Sequence, residues 1–597
     1  MNTNKLCYYF LALAFFIAGS TAVTAQTLNE SSGTGSHARI SSGDFNTAFG
    51  DSTGSNLTSG SQTTFVGYQA GRSCTTSELV AIGYQSGYTN TTGFDNTFVG
   101  AQSGRLNQNG GDNTFIGTES GENNTTGYDN TFVGEESGTL NTTGYENTFI
   151  GEDAGFSNTT GYKQVFVGNE AGISADVGYR NVAVGSESMS DVDDGHHNTA
   201  VGDSAGIDIG DGIYNTMVGA AAGPATEWAD YNTFVGAMSG WDNNRTNSTT
   251  NANRNTYVGF YTGFTNREGQ DNVGMGAFSN FTNTNRSRCT FIGADQTVGN
   301  NDVELWGYLA YNTGQYAMAM GQQTDVRATG AITMGYQGEI TSGSTYSIGI
   351  GYQNSVAAGS SIGIGRSIDV DNTLAVAIGD NVTLQGDNAI VIGASSTATA
   401  ANSIVLGYAT TVSNANEAYI GNATTASIGG AVNWTATSDG RFKTNVQENI
   451  PGLQFINQLR PVSYNFNVAS MYEMQGREVP ELLKELSAKK EQVQYTGFIA
   501  QEVLEAAEAT GYDFSGVKIP ENPDTDAYGI RYAEFVPSLV KAVQELDKKV
   551  KDQENLIEKQ TDVIAGYEAT LQKMQERLAA VEAQVQVQQV SVSNNNK

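Results

Sequence analysis

Lysine is nearly absent from most of this chain. Between Thr27 and Phe442 it occurs once, at Lys163, and it becomes frequent only from Lys443 onward. Proline is scarce as well, with 7 in 597 residues, and six of them fall between Pro451 and Pro537. A break of that kind marks a change of architecture near residue 440. Histidine occurs only as His37, His196 and His197, and cysteine only as Cys7, Cys74 and Cys289. These are too few and too scattered for a disulfide framework, a zinc site or another metal centre, and no cofactor is expected. After the first 25 residues no apolar run is long enough to span a membrane. Lys and Arg number 30 against 62 Asp and Glu, a net charge of −32. So acidic a surface disfavours nucleic acid and anionic membranes as partners.

The N-terminus carries Lys5, then the apolar stretch "LCYYFLALAFFIAG", then "VTA" before Gln26. A basic residue, an apolar core and a small-residue cleavage site read as a signal peptide over 1–25. The mature chain is expected to be secreted or displayed at the cell surface.

What the chain has in abundance is glycine, 72 residues, and a repeat. "NTFVG" begins at Asn96 and returns as "NTFIG" or "NTFVG" at Asn113, Asn130 and Asn147, with variants at Gln164, Asn181, Asn198, Asn215 and Asn232. The step is 17 residues. A six-residue insertion within "NNRTNSTTNANR" delays the next copy to Asn255, after which Asn272 and Cys289 resume the step. Looser copies end at Gly50, Gly67 and Gly83. A fixed short period is the mark of a solenoid. Gly93, Gly110, Gly127, Gly144, Gly161, Gly178, Gly195 and Gly212 hold one register before the strand and are expected to turn the chain at positive φ. Phe98 and Val99 point to opposite faces and are both apolar, so the strand is expected to be buried on both, one face inside the coil and the other under another chain. Asn96, Asn113, Asn130 and Asn147 are expected to stack as an asparagine ladder. Thr97, Thr114, Thr131 and Thr148 read as good strand residues beside the core, and Asp95, Asp112, Asp129 and Glu146 as a solvated stripe. The "NTT" triplets match the glycosylation pattern, as an Asn/Thr-rich repeat does by chance.

Farther on the glycines fall 14 apart, at Gly351, Gly365, Gly379, Gly393, Gly407 and Gly421, behind strands such as "SIGIG", "AVAIG" and "AIVIG". This segment resembles the head of YadA-type trimeric adhesins. The resemblance implies a left-handed parallel β-roll in a homotrimer, with the 17-residue array as a wider relative. The C-terminal membrane barrel of those adhesins has no counterpart, so anchoring by that route is not expected.

Beyond Gly440 the pattern is mixed. "PGLQFINQLRPVSYNF" reads as a short helix turning into a strand, "YTGFIAQEVLEAAEA" as a strand running into a helix, and "YAEFVPSLVKAVQELDKKV" as the start of a long helix with Pro537 in its first turns. A heptad follows, with Val543, Val550, Ile557, Ile564, Leu571, Leu578 and Val585 at one seam position and Leu546, Gln553, Gln560, Tyr567, Met574 and Val581 at the other. That is a coiled coil.

Three motifs stand in order here: Ser438-Asp439-Gly440-Arg441-Phe442-Lys443, Gly497 to Val503, and Tyr532 to Leu546. Together they resemble the intramolecular chaperone domain that closes phage endosialidases and related tail spikes. The resemblance implies trimerisation of the chain, assistance to the upstream β-structure, and self-cleavage by a serine and a lysine. Those residues are Ser438 and Lys443, with Asp439 and Arg441 in support and scission beside Thr437 and Ser438. The chemistry is consistent on its own terms. A serine needs a base, and a lysine serves if burial or a nearby cation such as Arg441 keeps it neutral. A spacing of five suits neither one helix face nor a straight strand. Either the Asp-Gly turn folds Lys443 back in a hairpin, or the lysine comes from a neighbouring protomer.

The expected architecture is mainly β: a signal peptide (1–25), a lead (26–45), 17-residue β-roll repeats (46–300), a junction (301–320), 14-residue repeats (321–430), a small α+β chaperone domain (431–542), a coiled coil (543–587) and a disordered tail (588–597). The expected function is a homotrimeric, adhesin-like fibre that meets a host surface or glycan and whose only chemistry is one self-cleavage. A tail-spike-like protein that binds or cuts glycans, and an ice-binding β-roll, are the competing readings.

Overall fold

A computed structural model describes residues 29–37 and 39–594; the signal-peptide segment lies outside the described residues. The chain divides into two units, one running to Leu406 with Asn414–Tyr419, the other comprising Gly407–Ser413 and the chain from Ile420 on.

The first unit is a parallel β-solenoid, and its sheet counts 33 strands among the described residues. Each short strand pairs with the one a turn later: Thr97 faces Thr114, Phe98 faces Phe115 and Val99 faces Ile116. Alternation sends Asn96 and Phe98 inward, fully buried, and Thr97 and Val99 outward. Stacking then repeats the core residue at the strand spacing. Phe98, Phe115, Phe132, Phe149 and Phe166 form a column with ring centroids 5.1, 4.8, 4.7 and 4.9 Å apart. Burial on both faces was expected; in the single chain only the inner face is buried. The outer one keeps residues such as Ile116 and Ile150 at 39% and 40% exposure.

Asparagines hold the turns together in two ways. The Asn96 column is not a simple amide ladder: its Oδ1 accepts the backbone N–H of Asn113 at 2.9 Å, and its Nδ2 donates to the Gly110 carbonyl at 2.8 Å. The amide ladder proper runs through Asn90, Asn107, Asn124, Asn141 and Asn158, the Nδ2 of each after Asn90 donating to the Oδ1 one turn back at 2.6 to 2.7 Å. All but Asn107 are the asparagines of the "NTT" triplets. Their amides are buried, so the folded coil offers no acceptor for a glycan there.

Gly93, Gly110 and Gly127 and their counterparts do not adopt positive φ as expected. A β-carbon on Gly127 would instead collide with Asn124 Oδ1 and the Gly144 carbonyl oxygen of the next turn. Glycine is needed there for close approach, not for handedness of the backbone. The left-handed positions are elsewhere, at Gly100 (φ 139°) and Gly104 (φ 57°), and at the acidic residues before each strand: Asp95, Asp112, Asp129 and Glu146 have φ between 55° and 60°. They recur at one register in successive turns. Partial burial, then repulsion from Asp129 and Asp95, raises the pKa of Asp112.

Three boundaries differ from the sequence reading. The solenoid begins within the expected lead, because Glu30–Ser32 pairs with Thr47–Phe49. The expected junction over 301–320 is continuous coil: Glu304–Tyr308 pairs with Thr290–Ala294 before it and Met318–Gln322 after it. The 14-residue step thus starts at Gly293 and Gly307, where Trp306 and Met320 replace the usual Val or Ile and hide the repeat. The insertion before Asn255 is looped out, and Thr233 still faces Thr256. At the other end, one helix spans Phe535–Asn594, so it begins before the expected coiled coil and continues through most of the expected tail. Pro537 sits in its first turn, where a missing N–H costs no helix bond. No helix among the described residues is long and apolar enough to cross a membrane.

Candidate functional site

Residues 422–439 carry no helix or strand. The first regular element after them is a single 3-10 turn, Gly440–Phe442. Asp439 caps it: its Oδ1 accepts the Arg441 N–H at 2.8 Å. The turn closes through Phe442 N–H to the Asp439 carbonyl at 3.1 Å and Lys443 N–H to the Gly440 carbonyl at 3.2 Å. Backbone on either side is extended, with ψ 130° at Asp439 and 126° at Lys443. This tight reversal, rather than a hairpin, carries Lys443 back to Ser438 within one chain. Lys443 Nζ donates to Ser438 Oγ at 2.7 Å. Thr437 precedes the pair directly.

Arg441 is differently engaged from the sequence expectation. Its guanidinium grips the Asp439 carboxylate, with Nη2 at 2.6 Å and Nε at 3.0 Å from Oδ2. That contact, with the backbone N–H of Arg441 second, holds the Asp439 carboxyl below its ordinary range and pushes the guanidinium higher still. The two charges offset each other, and Arg441 shapes the turn through its grip on Asp439. Ser438, Arg441, Phe442 and Lys443 are all exposed.

The small domain behind this turn forms as its motifs suggest. A helical turn at Leu453–Ile456 leads to a strand at Val462–Tyr464, which pairs antiparallel with Tyr495–Gly497; the helix Ala500–Ala509 follows. Phe455, Val503, Ala507, Phe514 and Phe535 make its core. Two contacts explain residue choices the motifs left open. Glu545, about three turns into the long helix, accepts the Leu453 N–H at 2.7 Å, and the Tyr532 hydroxyl accepts the Phe498 N–H at 3.3 Å. Neither was legible as a site residue, because each acts across a long sequence separation.

Residues 438–512 match the family described as chaperone of endosialidase. The match opens on Ser438 itself and covers both the turn and the "GFIAQEV" motif, while Tyr532 to Leu546 lies beyond it. No curated protein matches the chain. A chaperone module of this kind behind a parallel β-solenoid is the organisation that the sequence motifs imply.

Proposed function

We propose that this chain is a secreted, homotrimeric fibre that matures by cutting off its own C-terminal chaperone. The observation that carries the reading is the 2.7 Å approach of Lys443 Nζ to Ser438 Oγ, at the first residue of the matched chaperone segment. Lysine in its neutral form takes the hydroxyl proton of Ser438. The freed oxygen attacks the Thr437 carbonyl carbon, and the Thr437–Ser438 C–N bond breaks as the nitrogen receives the proton back from Lys443. Water then hydrolyses the resulting ester, leaving a Thr437 carboxylate and a new N-terminal Ser438. The reaction is silent while the pair is solvated, since an exposed lysine keeps its proton and burial is what removes it.

Assembly supplies the burial. The long helix leaves its seam open, with Val543, Ile557, Ile564, Leu571 and Leu578 all exposed, and the outer strand face of the solenoid carries uncharged threonine and aliphatic side chains over many turns. Three parallel copies cover both surfaces. The likeness of the 14-residue array to YadA-type heads supports an adhesive role at a host surface or glycan. Sedimentation of the full-length Ser438→Ala protein tests the assembly: three chains per particle are expected, and a stable folded monomer contradicts the reading.

A further inference from the structure

Phe442 lies between Ser438 and Lys443 in the tight turn, and 73% of it is exposed. Its ring meets the Arg441 guanidinium at 5.8 Å. Trp434, four residues before Ser438, is 83% exposed. Large apolar side chains on an exposed tight turn and on the irregular segment before it are costly to leave in water. Here they flank the candidate reactive pair.

The same unit holds a complementary surface. A groove of about 730 Å³ is lined chiefly by Tyr464, Phe466, Met474, Phe498, Tyr528 and Tyr532, with Gln501 and Asp526 also in its lining. That volume is larger than a single ring needs, so a phenyl side chain can enter, and the aromatic part of the wall favours an aromatic guest. Groove and Phe442 coexist unengaged in a single chain, although a contact within the chain needs no association. The groove is continuous with the start of the long helix: Phe498 stacks on Phe535 at 5.4 Å, and Tyr532 on Phe535 at 6.1 Å. Val536, Leu539, Val540 and Val543, the first exposed apolar residues of that helix, run on from it. A second copy zipped along this seam is therefore delivered beside the groove.

We propose that Phe442 of one copy seats in the aromatic groove of the next, so that the reactive pair of each chain is covered by its neighbour. This rests on the trimeric self-cleaving reading above and adds its trigger: the Ser438–Lys443 pair is complete within one chain, but its lid belongs to another. Seating Phe442 draws Lys443 against apolar surface and strips its water, the condition under which it can accept a proton. Phe442 is a positioning residue in this scheme.

The test uses the full chain. In a Ser438→Ala background, which keeps the segments joined, Phe442→Cys is combined with Tyr528→Cys and oxidised; the native Cys74 and Cys289 are buried and stay silent. Disulfide-linked dimers and trimers are expected on a non-reducing denaturing gel, and none from either single-cysteine variant. With Ser438 intact, Phe442→Ala is expected to slow cleavage at least tenfold at unchanged trimer content, and Phe442→Leu to restore most of the rate. If the particle is trimeric but the double variant gives only monomers, or if Phe442→Ala cuts at the wild-type rate, the proposal is overturned. A Ser438→Ala protein that sediments as a monomer overturns the assembly reading itself, and the trigger with it.

Discussion

Asn124 Nδ2 donates to Asn107 Oδ1 at 2.7 Å, one turn away and wholly inside the coil. The same nitrogen reaches the Gly127 carbonyl at 3.0 Å, and Asn124 Oδ1 accepts from Asn141 at 2.7 Å. Asn124→Ala therefore leaves Asn107 Oδ1 without its donor and one N–H of Asn141 Nδ2 without its acceptor, the Gly144 carbonyl at 3.1 Å being all that Nδ2 keeps. A cost on the order of 3 kcal/mol is expected from two unmatched buried polar groups. Because a solenoid's turns contact mainly their neighbours, the loss should appear as faster amide exchange in the adjoining turns.

Gly127→Ala is expected to be destabilising even though Gly127 has ordinary φ. The added methyl meets Asn124 Oδ1 and a backbone oxygen of the next turn, and neither can retreat without opening the ladder. Overpacking of this kind costs about 1–3 kcal/mol. A thermal melt of Gly127→Ala indistinguishable from wild type would show that the turns are looser than the structure has them.

Asp208 provides a pH test. Burial first, then repulsion from Glu227, Asp191 and Asp193, pushes its pKa up to about 6. A carboxyl raised in the folded state binds its proton more tightly there than in the unfolded chain. Its contribution to stability is complete below about pH 3.9 and is lost as pH rises through 6. Between pH 7 and pH 5 these turns should become more stable, and Asp208→Asn should remove that gain while stabilising the coil at pH 7. Thermal denaturation of both proteins across this range decides it; a flat wild-type profile would count against the repulsion.

Ile116 and Ile150 present half-exposed side chains on the outer strand face. Ile116→Lys combined with Ile150→Lys should leave the single-chain coil intact, since neither residue enters its core, while preventing copies from closing over that face. Normal trimer yield from this variant, measured by light scattering, would place the solenoid interface elsewhere.

Removing 547–597 takes away most of the open heptad seam while sparing the small domain's core and the Glu545 contact to Leu453. Helices with local contacts form fast, whereas parallel strand pairing is slow and, in a repeat, easily slips by one turn. The truncated chain is expected to give aggregated or misregistered material and no cleavage. Soluble, correctly cut trimer from it would contradict the proposed order of assembly.

Much of this molecule could be read before it was seen. "NTFVG" at a strict 17-residue step announces a coil, because strand and turn residues recur in one register. The helix and strand of "YTGFIAQEVLEAAEA" follow from periodicity alone. What escaped depended on the next turn. The amide ladder of Asn124 and Asn141 was hidden in triplets that resemble a glycosylation pattern. Gly127 was assigned to backbone handedness when its neighbour in space, Gly144, was the reason. Glu304–Tyr308 lacks the motif and still keeps the register, since pairing with Thr290–Ala294 is enough. At the candidate site, the identities of Ser438 and Lys443 were legible. The 3-10 turn that joins them was not, because an Asp-Gly pair suits several reversals.

Intact mass spectrometry of the purified assembly tests the central claim most directly. From the wild-type protein the account predicts a C-terminal fragment of about 160 residues beginning at Ser438, with full-length chain only from Ser438→Ala and Lys443→Ala, both still trimeric. The same two fragments from either variant would contradict it and point to an external protease.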